Sequence, residues 1–330
     1  MKVLLVSDTK GKDDEGMKKI ARMLYSELDK KTGIDVAIAA PREAPALADG
    51  FDLLHYIGGP SYRSALIASL LKIRKKISGG NLRIILSFTN PFWGWRGNLL
   101  MRICPPDHVI VLSDYWKSWA EKYKLNHSAA PLVGVDQDKF YPIDHTGYVA
   151  LRKQLSLPED KVVLLHVGHL KPDRNLGLLL KAQQSNKIQV VIVGSTTTKQ
   201  SLSLVEELRS GGCIVLDTYQ PQIEQYYQAS DCYIFPTVDP KAAVQIPLSV
   251  LEALSTELPV VSTPFGGLPS LFQEEPGVHF FSEADVEKGR LAQIVIDAAK
   301  EKPNRNSTGL NTWDDVAQKL TKLYKEVLEN

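Results

Sequence analysis

The stretch AAVQIPLSVLEALSTELPVV, residues 242–261, places Glu252 one turn into an apolar helix that opens after Pro247. A proline in the first turn forfeits no hydrogen bond, because the leading N–H groups of a helix have no partner within it. The amides of Leu248, Ser249 and Val250 are then expected to be free to hold an anion such as a diphosphate. Glu252, on the next turn, is suited to accept hydrogen bonds from ribose hydroxyls; the plainer reading is an acid that complements the helix dipole. A second group lies in HVGHLKPDRNLGLLLKA, residues 166–182, where a strand ends at Gly168 and His169, Lys171 and Arg174 follow in the turn. Arginine offers permanent charge and planar donors that match phosphate oxygens, and a solvated basic turn is the alternative. His166 and His169 have HxxH spacing, but a strand running into a loop points them differently, which argues against a metal pair.

These residues need strands to position them. In open α/β sheets ligands sit beyond the carboxyl ends of strands, so the candidates are the residues that follow each expected strand of the second half: Gly168, His169, Arg174, Gly194, Ser195, Pro236, Gly266 and Gly267. Short apolar runs (KVLLV, DVAIA, DLLHYI, LRIILSF, HVIVL) alternate with segments at helical spacing, including Gly16 to Lys31 and Ser61 to Ile77. A second series contains KVVLLHVG, IQVVIVG, CIVL, DCYIFP and LPVVS, with helices expected from Arg174 to Gln184 and around Ser201 to Arg209. Twice-repeated alternation of this kind is the βαβ pattern of parallel sheets covered on both faces. Residues 130–148, rich in Pro, Gly and Asp, suit a connection, with the boundary near Asp144. At the far end Thr312 caps a helix whose apolar face carries Val316, Leu320, Leu323 and Val327.

Composition narrows the classes. A chain of 330 residues, 44% hydrophobic and 23% charged, fits two globular domains. With 39 basic and 38 acidic residues there is no bulk charge to favour nucleic acid. Three scattered cysteines, Cys104, Cys213 and Cys232, suggest neither disulfides nor a thiolate metal site and fit a reducing cytoplasm. No run reads as a signal peptide core or a membrane span. Because Gly-x-Gly never occurs, dinucleotide binding through GxGxxG is disfavoured.

Six segments in order carry a resemblance: GVDQDKFYP, VGHLKPDRNLGLLLKA, VVIVGS, IEQYYQASDCYIFPT, PLSVLEALSTELPVVSTPFGGLP and TWDDVAQKLTKLY. Together they resemble the retaining glycosyltransferases of the GT-B fold, family 4 (group 1), over nearly the whole chain. The resemblance implies two Rossmann-like domains with parallel sheets facing across a cleft: an acceptor-binding domain over 1–143, a nucleotide-sugar-binding domain over 144–311, and a helix over 312–330 that crosses back to the first. It implies a nucleotide diphosphate sugar as donor, no cofactor or metal, and a hydroxyl acceptor on a glycan, lipid-linked sugar or small molecule. Arg174, with His169, takes the place of the residues that stabilise the departing diphosphate, and Gly168, Lys171, Gly194, Pro247, Leu248 and Ser249 line the donor. Glu252 matches the ribose-binding second acid of the E-x7-E motif, and Tyr219 falls beside the nucleobase.

The chain also departs from the pattern. Val244 stands in the first acid's place, so contact with the transferred sugar passes to Asp239 or Gln245 nearby. The glycine-rich first loop is reduced to SDTKGKDDEGMKK with Gly16, SFTNPFWGWRGN offers Thr89 and Asn90 where a histidine is common, and its Trp93 is an aromatic that could stack on a sugar ring or meet lipid; Gly16, Asn90 and Trp93 mark the acceptor side. The Asp-x-Asp at 136–138 lies in the interdomain linker of the resemblance rather than in a metal motif. Residues 63–76 set Arg63, Lys72, Arg74, Lys75 and Lys76 against an apolar face, compatible with peripheral contact on the inner face of an anionic membrane. Two alternatives accompany the transferase reading: a catalytically impaired nucleotide-sugar-binding subunit, motivated by Val244, and a GT-B nucleotide-sugar epimerase.

Overall fold

The computed structural model describes residues 1–8, 16–59, 62–89, 94–196, 199–272, 277–306 and 308–329, with the backbone alone at Tyr62, Arg63 and Trp95. The chain divides into two compact units: Met1–Gly134 with Val244–Ile246 and Asn311–Asn330, and Val135–Ala243 with Pro247–Leu310.

In the first unit the chain runs β1 (Lys2–Val6), α1 (Gly16–Asp29), β2 (Asp35–Ala39), α2 (Ala44–Leu47), β3 (Leu53–Gly58), α3 (Tyr62–Ile77), β4 (Arg83–Phe88), α4 (Trp95–Ile103), β5 (His108–Ile110), α5 (Asp114–Lys122) and β6 (His127–Ser128). The strands form one sheet in the order β2-β1-β3-β4-β5-β6, every pair parallel. Parallel strands covered on both faces need continuous apolar runs, and β1 is buried from Val3 to Val6 without alternation. Leu86, Phe88, Val109 and Trp116 share the core beneath the helices.

The second unit repeats the plan with α6 (His145–Gln154), β7 (Val162–Gly168), α7 (Leu179–Gln183), β8 (Ile188–Gly194), α8 (Leu202–Ser210), β9 (Ile214–Leu216), α9 (Ile223–Gln228), β10 (Cys232–Phe235), α10 (Leu248–Ser255), β11 (Val260–Ser262), α11 (Leu268–Leu271), β12 (Val278–Phe280), α12 (Glu283–Glu287) and α13 (Leu291–Ala298). Its sheet, also parallel, has the order β12-β11-β10-β7-β8-β9. After β9 the chain returns across the sheet to set β10 beside β7, so connections leave these neighbours in opposite directions. The opening at their carboxyl ends is the topological switch point, where ligands of open α/β sheets bind.

One helix departs from expectation. The pattern predicts helix from Arg174 to Gln184, but the structure has 3₁₀ turns over Pro172–Arg174 and Leu176–Leu178 before α7. The break is at Asn175, which is left-handed with φ 58° and donates from Nδ2 to Pro236 O at 3.1 Å. Asparagine tolerates this conformation better than other side chains do, and the bond joins the loops that follow β7 and β10.

The last helix, α14 (Trp313–Glu329), belongs to the first unit. Thr312 and Asp315 cap it reciprocally: Asp315 N–H donates to Thr312 Oγ1 at 3.1 Å and Thr312 N–H to Asp315 Oδ2 at 2.9 Å. Its buried face, with Val316, Leu320, Leu323 and Val327, packs beside α1. Tyr324 reaches deeper, where its hydroxyl lies 2.6 Å from His55 Nδ1, while His55 Nε2 lies 2.7 Å from Ser87 Oγ. Among the described residues no helix is long and apolar enough to cross a membrane.

Candidate functional site

At the carboxyl end of β7, the 3₁₀ turn leaves Arg174 only 9% exposed. Among the described residues its Nε has no hydrogen-bond partner and no carboxylate forms an ion pair with it. Burial pulls its pKa below the ordinary arginine value, with Tyr233 and Asp173 acting in the opposite direction. A guanidinium nevertheless stays charged at physiological pH. A buried cation without a counter-charge is costly, and an anion would relieve that cost.

A continuous row of side chains joins Arg174 to α10. His166, fully buried on β7, has Nδ1 2.9 Å from Ile234 O; since a carbonyl only accepts, Nδ1 carries the proton and Nε2 is a bare acceptor. No described residue bonds that Nε2. Burial pushes the pKa of His166 down to about 4, and the positive charge of Arg174 adds to the effect. A Cβ on Gly168 would come within 3.0 Å of His166 Nε2 and 3.6 Å of Arg174 Nη1, so glycine keeps the space between the two open. The His166 ring stacks on Tyr233, which stacks in turn on Tyr227.

Both tyrosines end on α10. The Tyr233 hydroxyl lies 2.7 Å from Ser249 Oγ and 3.3 Å from Val167 O, so it ties the head of α10 to the end of β7. Tyr227 donates to Glu252 Oε2 at 2.9 Å. Burial and the neighbouring carboxylate both hold the Tyr227 phenol far above its ordinary pKa, so it remains a donor. Glu252 itself is 8% exposed, which makes it a buried carboxylate held at one end of this row rather than a solvated first-turn acid. Pro247 is the N-cap residue of α10, with φ −67° and ψ 126°, and its carbonyl accepts from Val250 N–H at 3.1 Å. The expected set of three free amides is therefore corrected to Leu248 and Ser249, because the first turn closes on Val250.

The other candidates separate by environment. His169 and Lys171 are half-buried in the loop after β7. His166 is committed to the sheet interior, and among the described residues no group of three or more His, Cys, Asp or Glu side chains gathers to hold a metal. Asp136 Oδ1 accepts from Asp138 N–H at 3.2 Å and Lys139 N–H at 3.0 Å, a local turn bond. Gly194 is explained by packing, since a Cβ there would come within 2.5 Å of Leu170 Cδ1. Tyr219, half exposed, follows β9 on the same carboxyl edge. Asp239 is exposed, and its Oδ1 accepts from Lys241 N–H at 2.9 Å.

Gln245 belongs to the first unit, where it is 2% exposed and donates its N–H to Thr89 O at 2.7 Å. Its side-chain Nε2 is buried without a partner among the described residues. Gly16 opens α1, and Val244 Cγ2 lies 4.0 Å from where a Cβ on Gly16 would stand. Asn90 and Trp93 lie outside the described residues. The sequence reading missed Tyr227, Tyr233, His166 Nε2 and the buried Thr237 Oγ1 after β10, which has no partner among the described residues. The signal available for them was aromatic or polar residues at the ends of β7 and β10.

Residues 149–314, which carry both Arg174 and Glu252, match the family described as glycosyl transferases, group 1. The chain belongs to this family. A curated relative of the group 1 chain, the D-inositol 3-phosphate glycosyltransferase of Geodermatophilus obscurus, is 28% identical over 216 residues, covering 59% of this chain and 46% of that protein. The chain thus spans less than half of this relative's length. Among solved structures, a sucrose-phosphate synthase from Thermosynechococcus elongatus superposes with a TM-score of 0.77 at 15% identity, covering 99% of both chains. HepE from Anabaena, solved with UDP and glucose, gives 0.73 at 14% identity over 98% of this chain and 99% of its own. At these identities the likeness concerns the fold, and the group 1 chain has the GT-B fold with two parallel six-stranded sheets and flanking helices.

Proposed function

We propose that this chain transfers a sugar from a nucleoside diphosphate sugar to a hydroxyl acceptor, with retention of anomeric configuration. The observation that carries the reading is Arg174, a buried guanidinium with no ion-pair partner among the described residues, at the switch point of a parallel sheet. The diphosphate supplies its missing partner. Leu248 and Ser249 N–H at the head of α10, with the Ser249 hydroxyl oriented by Tyr233, add donors to the phosphate oxygens. His169 and Lys171 complete the basic turn.

As the bond between the sugar and the diphosphate breaks, negative charge grows on the leaving oxygen. Fixed donors aimed at that charge stabilise the transition state more than the ground state, which is how this site accelerates the reaction. Glu252, held by Tyr227, accepts from the ribose hydroxyls and sets the register of the nucleotide, with Tyr219 beside the base. Val244 has no polar atom to accept a hydrogen bond from a hydroxyl, which leaves Asp239 and Gln245 as the polar candidates for the transferred sugar. Asp239 is the weaker candidate because its carboxylate is exposed and used by its own turn. Gly16 lies on the acceptor side. Support for glycosyl transfer comes from the group 1 family and from relatives named as glycosyltransferases, and support for a nucleotide donor from neighbours solved with UDP or UDP-glucose.

The test is a thermal-unfolding screen against UDP, GDP, ADP and their sugars, followed by detection of released nucleoside diphosphate with candidate hydroxyl acceptors. A ligand that binds only the folded chain raises its unfolding midpoint. The reading expects one nucleotide series to do so in the parent and not in Glu252→Ala. Binding without release under every acceptor favours a non-catalytic subunit, and an altered donor sugar without acceptor favours an epimerase. Proton coupling at the anomeric carbon of the product reports retention.

A further inference from the structure

The strongest surface feature lies on α3 and α4 of the first unit. These helices pack against each other, and Lys72 Nζ on α3 donates to Pro105 O just beyond α4 at 2.9 Å. On α3, Leu70, Ile73 and Ile77 are exposed, at a spacing that places them on one side of a helix; on α4, Leu99 and Ile103 are exposed four residues apart. Ile77 is 82% exposed and Ile103 71%, values that leave nearly the whole side chain in water. Large aliphatic side chains exposed together on two packed helices point to an interaction site.

Charge indicates what the surface meets. The two helices contain Arg63, Lys72, Arg74, Lys75, Lys76, Arg96 and Arg102 and no acidic residue, in a chain with 39 basic and 38 acidic residues overall. Loop carboxylates temper this: Asp107 pairs with Lys72 at 3.1 Å and Asp49 pairs with Arg74. Lys76 and Arg102 are exposed and form no ion pair among the described residues. A protein interface is typically depleted in lysine at its core, whereas aliphatic side chains flanked by lysine and arginine suit the boundary between acyl chains and anionic headgroups.

We propose that the α3–α4 face docks on an anionic lipid bilayer, with Ile73, Ile77, Leu99 and Ile103 entering the headgroup boundary and Lys76 and Arg102 meeting lipid phosphates. The wider basic field of α3 draws the chain to the surface, and the aliphatic stripe holds it there. Each unpaired basic side chain near such a surface contributes roughly a fivefold gain in partition, and salt weakens that part of the binding.

The full chain is sedimented with vesicles of phosphatidylcholine, alone or mixed with phosphatidylglycerol at about three parts in ten, an anionic fraction of the kind that attracts basic segments. The expected result is at least a roughly tenfold preference for the mixed vesicles, reduced by high salt. Double substitution of the exposed isoleucines, Ile77→Glu with Ile103→Glu, is expected to cut binding by roughly tenfold or more, and Lys76→Glu with Arg102→Glu to remove most of the lipid preference. Circular dichroism of each variant checks that the fold is retained. Equal binding to both vesicles, no binding, or full binding by the isoleucine variant overturns the proposal. Self-association in ultracentrifugation that the same isoleucine variant abolishes also overturns it, assigning the face to a second copy. None of these readouts depends on glycosyl transfer.

Discussion

Two arginines are buried within one unit, and their surroundings differ completely. Arg152 on α6, 2% exposed, donates from Nε to Ala229 O at 3.0 Å and from Nη1 to Lys161 O at 3.0 Å, and pairs with Asp231. The Tyr148 ring lies 4.8 Å from its guanidinium carbon, and the Tyr148 hydroxyl donates to Asp231 at 2.6 Å. Arg174 has a comparable burial and none of these partners. The first arginine is complete in the protein alone, whereas the second becomes complete only when something negative arrives. Burial by itself does not distinguish a structural charge from a binding charge; the count of satisfied donors does.

Histidines show the same division. His55, in the first unit, has both nitrogens engaged, one by Tyr324 and one by Ser87, while His166 has one engaged and one bare. The His55 network is a lock for α14. The His166 row leads to Arg174 and remains open there.

The largest effect expected is on stability at Arg152. Arg152→Ala should cost about 3–5 kcal/mol in urea unfolding, because removal of one partner from a buried pair strands the other. Arg174→Ala should leave stability unchanged or slightly raised, yet weaken nucleoside diphosphate binding by roughly 100-fold in calorimetric titration, the scale of two lost charge-assisted bonds. If Arg174→Ala instead unfolds the protein as readily as Arg152→Ala does, the contrast between the two arginines fails.

The histidines predict acid sensitivity. Burial lowers the pKa of His166 to about 4 and, together with His108, that of His55 to about 3. The unfolded chain therefore takes up these protons first, at about pH 6.5. Stability is complete above that pH and is lost as pH falls toward about 4 for His166 and about 3 for His55, with a slope of roughly 1.4 kcal/mol per pH unit for each group. Unfolding midpoints measured across this range should fall with acid, and His166→Gln should flatten the curve by the share of one group. The smallest effect is at Tyr227. Tyr227→Phe should cost about 1 kcal/mol in nucleoside diphosphate affinity by loosening Glu252, and should leave inorganic pyrophosphate binding unaltered.

Much of this contrast was legible in the sequence on one side only. Apolar runs of parallel-strand character placed both sheets, and Arg174 and Glu252 stood out because one follows a strand and the other follows a proline-opened helix. Whether those groups have protein partners was not legible, since partners come from distant positions. Tyr324 meets His55 across 269 residues, and Tyr227 meets Glu252 across 25. The helix expected from Arg174 onward is interrupted because Asn175 takes a left-handed conformation fixed by Pro236, a bond between loops that local propensity does not encode. Similarly, Lys72 and Arg74 look like free surface charge in the pattern, yet loop carboxylates pair with them.

The most direct test of the account is a crystal structure with the nucleoside diphosphate that raises the unfolding midpoint most. The account predicts phosphate oxygens within about 2.7–3.1 Å of the Arg174 guanidinium, the span of charge-assisted hydrogen bonds, and ribose hydroxyls on Glu252. A diphosphate bound elsewhere, with Arg174 still buried and unpaired, would contradict it.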